Sequence, residues 1–527
     1  MIQRKNISRI ILGFSGFAFL SFFFLFFIRP FWLDEINTIL YIQHSWKEII
    51  ELTKSDFSPP LYYLILKTWS LLGGKSEWFF RIPSLFFGLL SMVTFFFFSR
   101  RWFGKNIATI SAIAFFFSYS QLHYFAEARM YSLFVFLALL GTTFLFELWF
   151  CENTLSKKKQ FFLLSGFFLT SALGVYTHYA YWFFLFAQNI AIAKKIFYKN
   201  RFERTSWLLA QLGIVVAYIP WWQTFFERLY LTQIAAPHYW TSFFSNDTKF
   251  FLENLIFSAF VNPYEESMII FFVLKIFLFI TFLLFFFEIH FDVSSLFLLR
   301  PKKKWDEKLL ALLIISMVPI LIIFFFKLSI IRYILPSLAF ILLIIIIFLH
   351  QIEYRSLGKY ISWGICVLII FSTLNGMFAD RNSPSRHWKE IGNRIEERRD
   401  KTKNTAFVVP SILSARAFQY YYNGSLPIFD AFPDSRILDS NNIFKSKNLL
   451  IGIPVIENEL DTISLKSNLK EFEEVWLVQD TLENLFADPK KLIPALFQKE
   501  FQKKEEFLMR NPVLSNSNFV RITRWVR

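Results

Sequence analysis

A few short stretches of a largely apolar chain hold the residues best able to do chemistry. The first reads Trp32-Leu33-Asp34-Glu35 and is followed by Asp56-Phe57-Ser58-Pro59-Pro60-Leu61-Tyr62-Tyr63. Carboxylates beside a low-dielectric boundary are poised for general-base work or for metal binding. The second is Gln121-Leu122-His123-Tyr124-Phe125-Ala126-Glu127-Ala128-Arg129-Met130-Tyr131, in which a guanidinium and an acid lie two residues apart. A guanidinium there can grip a phosphate. Arg81, ahead of Ile82-Pro83-Ser84, and Arg332, ahead of Tyr333, offer the same chemistry, and His178 sits in Tyr176-Thr177-His178-Tyr179. Each has a structural alternative. Asp34 and Glu35 can cap the helix that continues through Ile36–Ile42. Glu127 and Arg129 can form a local pair, Arg81 can anchor an interface, and a lone His among aromatics often only packs. Lys275, about two turns inside an apolar run, is either functional or snorkels to the surface.

The elements that must position these residues are membrane helices. The 527 residues are 55% hydrophobic, 21% aromatic and only 18% charged, with 73 Phe and a mean hydropathy of +0.42. That composition excludes a disordered chain, a coiled coil and a disulfide scaffold. Cys151 and Cys366, the two cysteines, lie in or beside apolar sequence and indicate neither a disulfide framework nor a cysteine metal site. The net charge of +16 fits membrane topology and anionic lipid better than nucleic acid, and no nucleic-acid partner is expected. At about 20 apolar residues per span, eleven spans are expected, near 10–28, 82–99, 107–121, 131–149, 161–176, 179–193, 206–222, 268–287, 308–326, 332–349 and 360–378. The shorter apolar segment 60–73 reads as an interfacial helix.

Lys and Arg then gather on one side: Arg4, Lys5 and Arg9; Arg100, Arg101 and Lys105; Lys157–Lys159; Lys194 to Arg204; Arg300 to Lys304; Arg355 and Lys359. The positive-inside rule places the N-terminus in the cytoplasm. The first span has no small-residue cleavage site after it and reads as an uncleaved anchor. From about residue 380 polar residues return, so the expected organisation is a transmembrane part, 1–379, and an extracytoplasmic α/β domain, 380–527. In the latter, Thr405–Pro410, Leu449–Val455 and Val475–Val478 read as strands, and Ser414–Tyr422 and Pro494–Met509 as helices. Apart from Lys275 and Glu147 the spans carry almost no ionisable residues, whereas coupled transporters and channels need a polar path. The polar chemistry gathers at the outer surface, which favours a reaction on a lipid-borne substrate.

These residues resemble a known family. Trp32-Leu33-Asp34-Glu35, Asp56-Phe57-Ser58-Pro59-Pro60-Leu61-Tyr62-Tyr63, Ser76-Glu77 with Arg81-Ile82-Pro83-Ser84, and Glu127-Ala128-Arg129-Met130-Tyr131 are similar, in order and spacing, to motifs of the multi-span C-type glycosyltransferases. The group is that of the protein O-mannosyltransferases and lipid A aminoarabinose transferases. Thr177-His178-Tyr179 and Arg332-Tyr333-Ile334-Leu335-Pro336 match more weakly, and the likeness covers roughly residues 25–350.

The resemblance implies inverting transfer of a sugar from a polyprenyl-phosphate donor to a lipid, glycan or protein acceptor at the outer face of a bacterial inner membrane. It implies Asp34 as catalytic base, Glu35 as an orienting acid and Asp56 as a second acid near acceptor or donor. Arg129 becomes the contact to the departing phosphate, held by Glu127, with Arg81, Tyr131, His178 and Arg332 as further substrate-binding residues. Relatives often carry His before the Pro-Pro pair, where this chain has Ser58. A divalent cation is the one cofactor the resemblance leaves open. Trp388, Tyr420, Tyr421 and Tyr422 of the outer domain either stack on sugar or pack. A lipid-glycan flippase and a non-catalytic envelope assembly protein are the competing classes; neither needs Asp34.

Overall fold

The computed structural model describes residues 27–54, 56, 58–198, 200–239, 287–290, 298–301, 306–325, 331–350, 355–381, 388–410, 412–422, 424–429, 463–480, 492–510 and 519–527. The chain forms two compact units: residues 1–27, 49–230 and 240–377 make the first, and 28–48, 231–239 and 378–527 the second. The expected first span falls almost wholly outside the described residues, as do the span at 268–287, Lys275 and the strand at 449–455.

The first unit is helical. It holds most of α2 (Trp46–Lys54), α3 (Leu61–Ser70), α4 (Glu77–Phe103), α5 (Lys105–Phe116), α6 (Tyr119–Phe125), α7 (Tyr131–Trp149), α8 (Lys157–Val175), α9 (Tyr181–Tyr198), α10 (Arg201–Ala217), the start of α11 (Ile219–Tyr239), α12 (Glu307–Phe325), α13 (Leu335–His350) and most of α14 (Arg355–Arg381). Among the described residues α4, α7 and α12 are long and apolar enough to cross a membrane. The pair α10 and Ile219–Tyr230, bent by 71°, makes a fourth if it is one span.

Two expected spans are broken, and the reasons are local. The run 206–222 bends because Pro220 has no N–H to give and its ring crowds the carbonyl four residues earlier. The run 107–121 ends at Phe116, and the chain restarts as α6 at Tyr119. There the Ser118 hydroxyl donates to the Phe115 carbonyl at 2.8 Å and competes with the helical ladder. Pro83, inside α4, leaves the Phe79 carbonyl without its helical donor, and the Trp69 indole N–H takes that acceptor at 2.9 Å. A helix-breaking residue thus fastens α3 to α4. Gly104 turns the chain from α4 into α5 at φ +90°, where a side chain would be strained.

The second unit carries α1 (Leu33–Ile42), α15 (Trp388–Arg398) and a five-stranded sheet. The sheet order is β4-β3-β5-β7-β6, from β3 (Thr405–Val408), β4 (Ile428–Phe429), β5 (Glu474–Asp480), β6 (Gln502–Arg510) and β7 (Phe519–Val526). A separate two-stranded antiparallel pair, β1 (Phe287–His290) and β2 (Leu298–Pro301), precedes α12. The β4, β3 and β5 strands are parallel; β7 and β6 are antiparallel. Strand alternation sends Ala406, Val408, Val475 and Leu477 into a core with Leu465, Ile493 and Phe497. Phe407 faces the other way and meets Phe418 of α16 (Ile412–Tyr421) at 4.9 Å. The helix expected over Pro494–Met509 stops at Glu500, and the remainder is β6. Its Lys and Glu residues face solvent along a sheet edge, where charge discourages edge-to-edge pairing.

Candidate active site

The first unit brings Asp56, Tyr63, Arg129, Tyr131, His178 and Arg332 together. The pieces are positioned by bonds between distant segments. The Leu61 N–H at the start of α3 donates to the Tyr176 carbonyl at 3.1 Å. Tyr62 of α3 shares a 2.5 Å hydrogen bond with Ser84 of α4, and the Ser84 hydroxyl donates to the Arg129 carbonyl at 3.1 Å. Gln121 of α6 donates to the Leu335 carbonyl at 2.8 Å, which ties the Arg129 loop to the start of α13 beside Arg332. The Pro59-Pro60 turn brings Tyr63 back over Asp56.

At the centre, the Arg129 guanidinium donates to the Tyr63 hydroxyl at 2.9 Å, and that hydroxyl donates to the Asp56 carboxylate in a short hydrogen bond. Arg129 and Arg332 both stand over the ring of Tyr131, at 5.9 and 5.6 Å from its centroid. His178, in the loop between α8 and α9, is buried. Its ring stacks on Phe134 at 5.0 Å and meets Tyr333 edge-on at 5.0 Å. Burial first, and then the charges of Arg332 and Arg129, hold its pKa down at about 3. Its Nδ1 accepts the Ala180 N–H at 3.1 Å, which assigns the proton to Nε2. The imidazole is therefore a neutral wall beside two cations. Packing and site-building are the same role here.

The other expected residues have defined surroundings. Glu127 is buried and lies 2.9 Å from the His123 Nε2. Arg81 is fully buried, and its Nη1 donates to the Phe27 carbonyl at 3.1 Å. In the second unit, Glu35 is buried at the third position of α1 and accepts the Trp32 N–H at 3.2 Å, as a capping carboxylate does. Asp34, one residue earlier and partly exposed, has its carbonyl bonded by Thr38 at 2.9 Å. Of the C-terminal aromatics, Trp388 is wholly buried, Tyr422 stacks on Phe418 at 5.4 Å, and Tyr420 meets Phe31 edge-on at 6.1 Å. In the sequence Tyr63 stands out only as part of the Asp56–Tyr63 motif. Its seven-residue separation from Asp56 across a Pro-Pro turn gives no helical signal.

Among the described residues, no group of three or more His, Cys, Asp or Glu side chains converges to hold a metal ion.

The chain shares its fold with solved membrane-enzyme structures of low sequence identity. The solved structures that are similar include ArnT from Cupriavidus metallidurans in the apo state, at 12% identity and a TM-score of 0.55 over 98% of each chain. The same ArnT bound to undecaprenyl phosphate matches with a TM-score of 0.52, again at 12% identity and over 98% of each chain. The Archaeoglobus fulgidus oligosaccharyltransferase, in complex with Zn and sulfate, matches at 12% identity and a TM-score of 0.49 over 96% of this chain and 72% of that one. No family model matches the sequence, and no curated protein does.

Proposed function

We propose that this protein transfers a sugar, with inversion, from a polyprenyl-phosphate donor to an acceptor hydroxyl at the outer face of a bacterial inner membrane. One observation carries the reading: two guanidiniums, Arg129 and Arg332, flank one aromatic ring beside an imidazole that stays neutral. An anionic headgroup bound there meets positive charge in a setting of low dielectric, where each interaction is strong. A prenyl phosphate supplies such a headgroup, and the ArnT structure that shares the fold was solved with undecaprenyl phosphate.

In the proposed reaction Asp34 takes the proton of the acceptor hydroxyl as its oxygen attacks the anomeric carbon. The bond from that carbon to the phosphate oxygen breaks, and a single displacement inverts the configuration. Negative charge grows on the leaving phosphate, where Arg129 and Arg332 stabilise it. Asp56 acts through Tyr63, whose hydroxyl joins it to Arg129 and fixes the guanidinium. Glu35 secures the start of the helix that bears Asp34, and Arg81 holds the chain at Phe27.

The test is genetic and chemical together. The gene is deleted, and glycolipids and surface glycans are profiled by mass spectrometry. Wild type, Asp34→Asn and Arg129→Ala are then restored at equal membrane levels. Loss of a sugar that only the wild type returns supports the transferase, and the missing mass names the sugar. Full restoration by both variants sinks it in favour of a flippase or an assembly protein.

A further inference from the structure

The second unit holds a contact that spans 390 residues of sequence. The Phe31 N–H donates to the Tyr421 hydroxyl at 2.6 Å. Two turns further along, Arg416 of α16 donates to the Asn37 side-chain carbonyl at 3.4 Å. Between these two bonds the Tyr420 ring meets the Phe31 ring edge-on at 6.1 Å. Phe31 lies just before the Trp32 cap of α1, three residues ahead of Asp34, and Asn37 lies on α1 three residues after it. Asn37 and Asp34, three apart on the helix, share a face, and the two bonds fall on either side of Asp34 along the chain. Phe31 is fully buried, so its amide N–H needs an acceptor within the protein. Tyr421 supplies that acceptor.

We infer that Tyr421 and Arg416 are positioning residues for Asp34: the C-terminal part of the chain sets the aim of the proposed base by clamping its helix at two points. This inference rests on the reading of Asp34 as the base. Neither Tyr421 nor Arg416 handles the proton in that reaction; each acts through the backbone or side chain of α1. A hydroxyl accepting from Phe31 sets where the helix begins. A guanidinium on Asn37 sets its rotation. Small errors of aim at a reacting group cost up to about a hundredfold in rate.

The experiment uses the full chain in membranes, with Cys151→Ser and Cys366→Ser as background. Asn37→Cys is paired with Arg416→Cys and treated with a short bis-thiol reagent, and Asn37→Cys with Lys503→Cys serves as the control. The first pair is expected to cross-link and the control is not. Absence of a cross-link in the first pair overturns the contact.

The rate at which the sugar lost on deletion reappears after induction is read in parallel. Tyr421→Phe is expected to lower it about ten- to a hundredfold at equal membrane level. Asn37→Asp turns the Arg416 contact into an ion pair and is expected to recover part of that rate in the Tyr421→Phe background, while failing to rescue Asp34→Asn. A general loss of folding would not show that selectivity. If Tyr421→Phe does not accumulate, Arg416→Gln is used, with a several-fold loss expected and Arg416→Lys restoring it. Full activity of the accumulating variant, with the cross-link intact, overturns the positioning role. Full activity of Asp34→Asn overturns the base reading instead, and the cross-link still reports the clamp.

Discussion

Two buried charge clusters of this protein are built on opposite plans. In the C-terminal sheet, Glu474 is wholly buried and both of its oxygens are engaged. Oε1 accepts from Arg524 at 2.6 Å and from the Trp476 indole at 3.0 Å; Oε2 accepts from the Asp400 N–H and the Thr405 hydroxyl, each at 3.1 Å. One acid meets one base, and the cluster is neutral. Around Tyr131, two guanidiniums stand with one carboxylate and a neutral imidazole. The first cluster closes on itself and holds β5 to β7. The second sets two guanidiniums on one aromatic ring beside a neutral imidazole, an arrangement suited to a phosphate ligand.

Substitutions sharpen or break this contrast. The largest effect belongs to Arg129→Ala, which should cut transfer by about a hundred- to a thousandfold with little change in thermal stability. Equal loss of stability and activity would put Arg129 in the same class as Arg524. Glu474→Gln should do the reverse. It strands the Arg524 charge and should destabilise the sheet by about 3 kcal/mol, read as faster amide exchange in β5 and β7.

A smaller, pH-dependent effect belongs to His178. Its folded pKa of about 3 lies below the unfolded value of about 6.5. Above 6.5 both states are neutral there. As pH falls from 6.5 toward 3 the unfolded chain takes a proton that the folded one refuses, so stability drops by about 1.4 kcal/mol per pH unit. His178→Phe should therefore lose less melting temperature than wild type between pH 7 and pH 5, and an equal loss would count against the buried neutral ring. The smallest effect is Arg394→Ala. It removes an exposed pair with Glu390 at 2.7 Å and should change stability by under about 0.5 kcal/mol.

The sequence showed some of this plainly and hid the rest for physical reasons. The run 131–149 is predominantly apolar, with Glu147 near its end as its one charge, and the helix has those bounds. Thr405–Val408 and Val475–Val478 are short apolar runs in polar surroundings and lie side by side as parallel strands. The break after Phe116 was hidden because no Pro or Gly marks it; a serine bonding its own backbone does the work. Gln502–Met509 misled because Lys and Glu at helix-like spacing also suit an edge strand. The acids and arginines of the site stood out by type. Their partners did not: Tyr63 reaches Asp56 across a turn, and Tyr421 reaches Phe31 from the far end of the chain, so neither pairing leaves a periodic trace.

That last pairing also sets an order of events. The ribosome adds about 5–20 residues per second, so with 390 residues between the partners roughly 20–80 s separate the synthesis of Phe31 from that of Tyr421. Throughout that interval the Asp34 helix lacks its clamp. A nascent chain arrested before Tyr421 therefore reaches the membrane with its acids made and its helix unlocked. On the proposed reading, activity waits for the synthesis of Tyr421 as well as for the insertion of the spans.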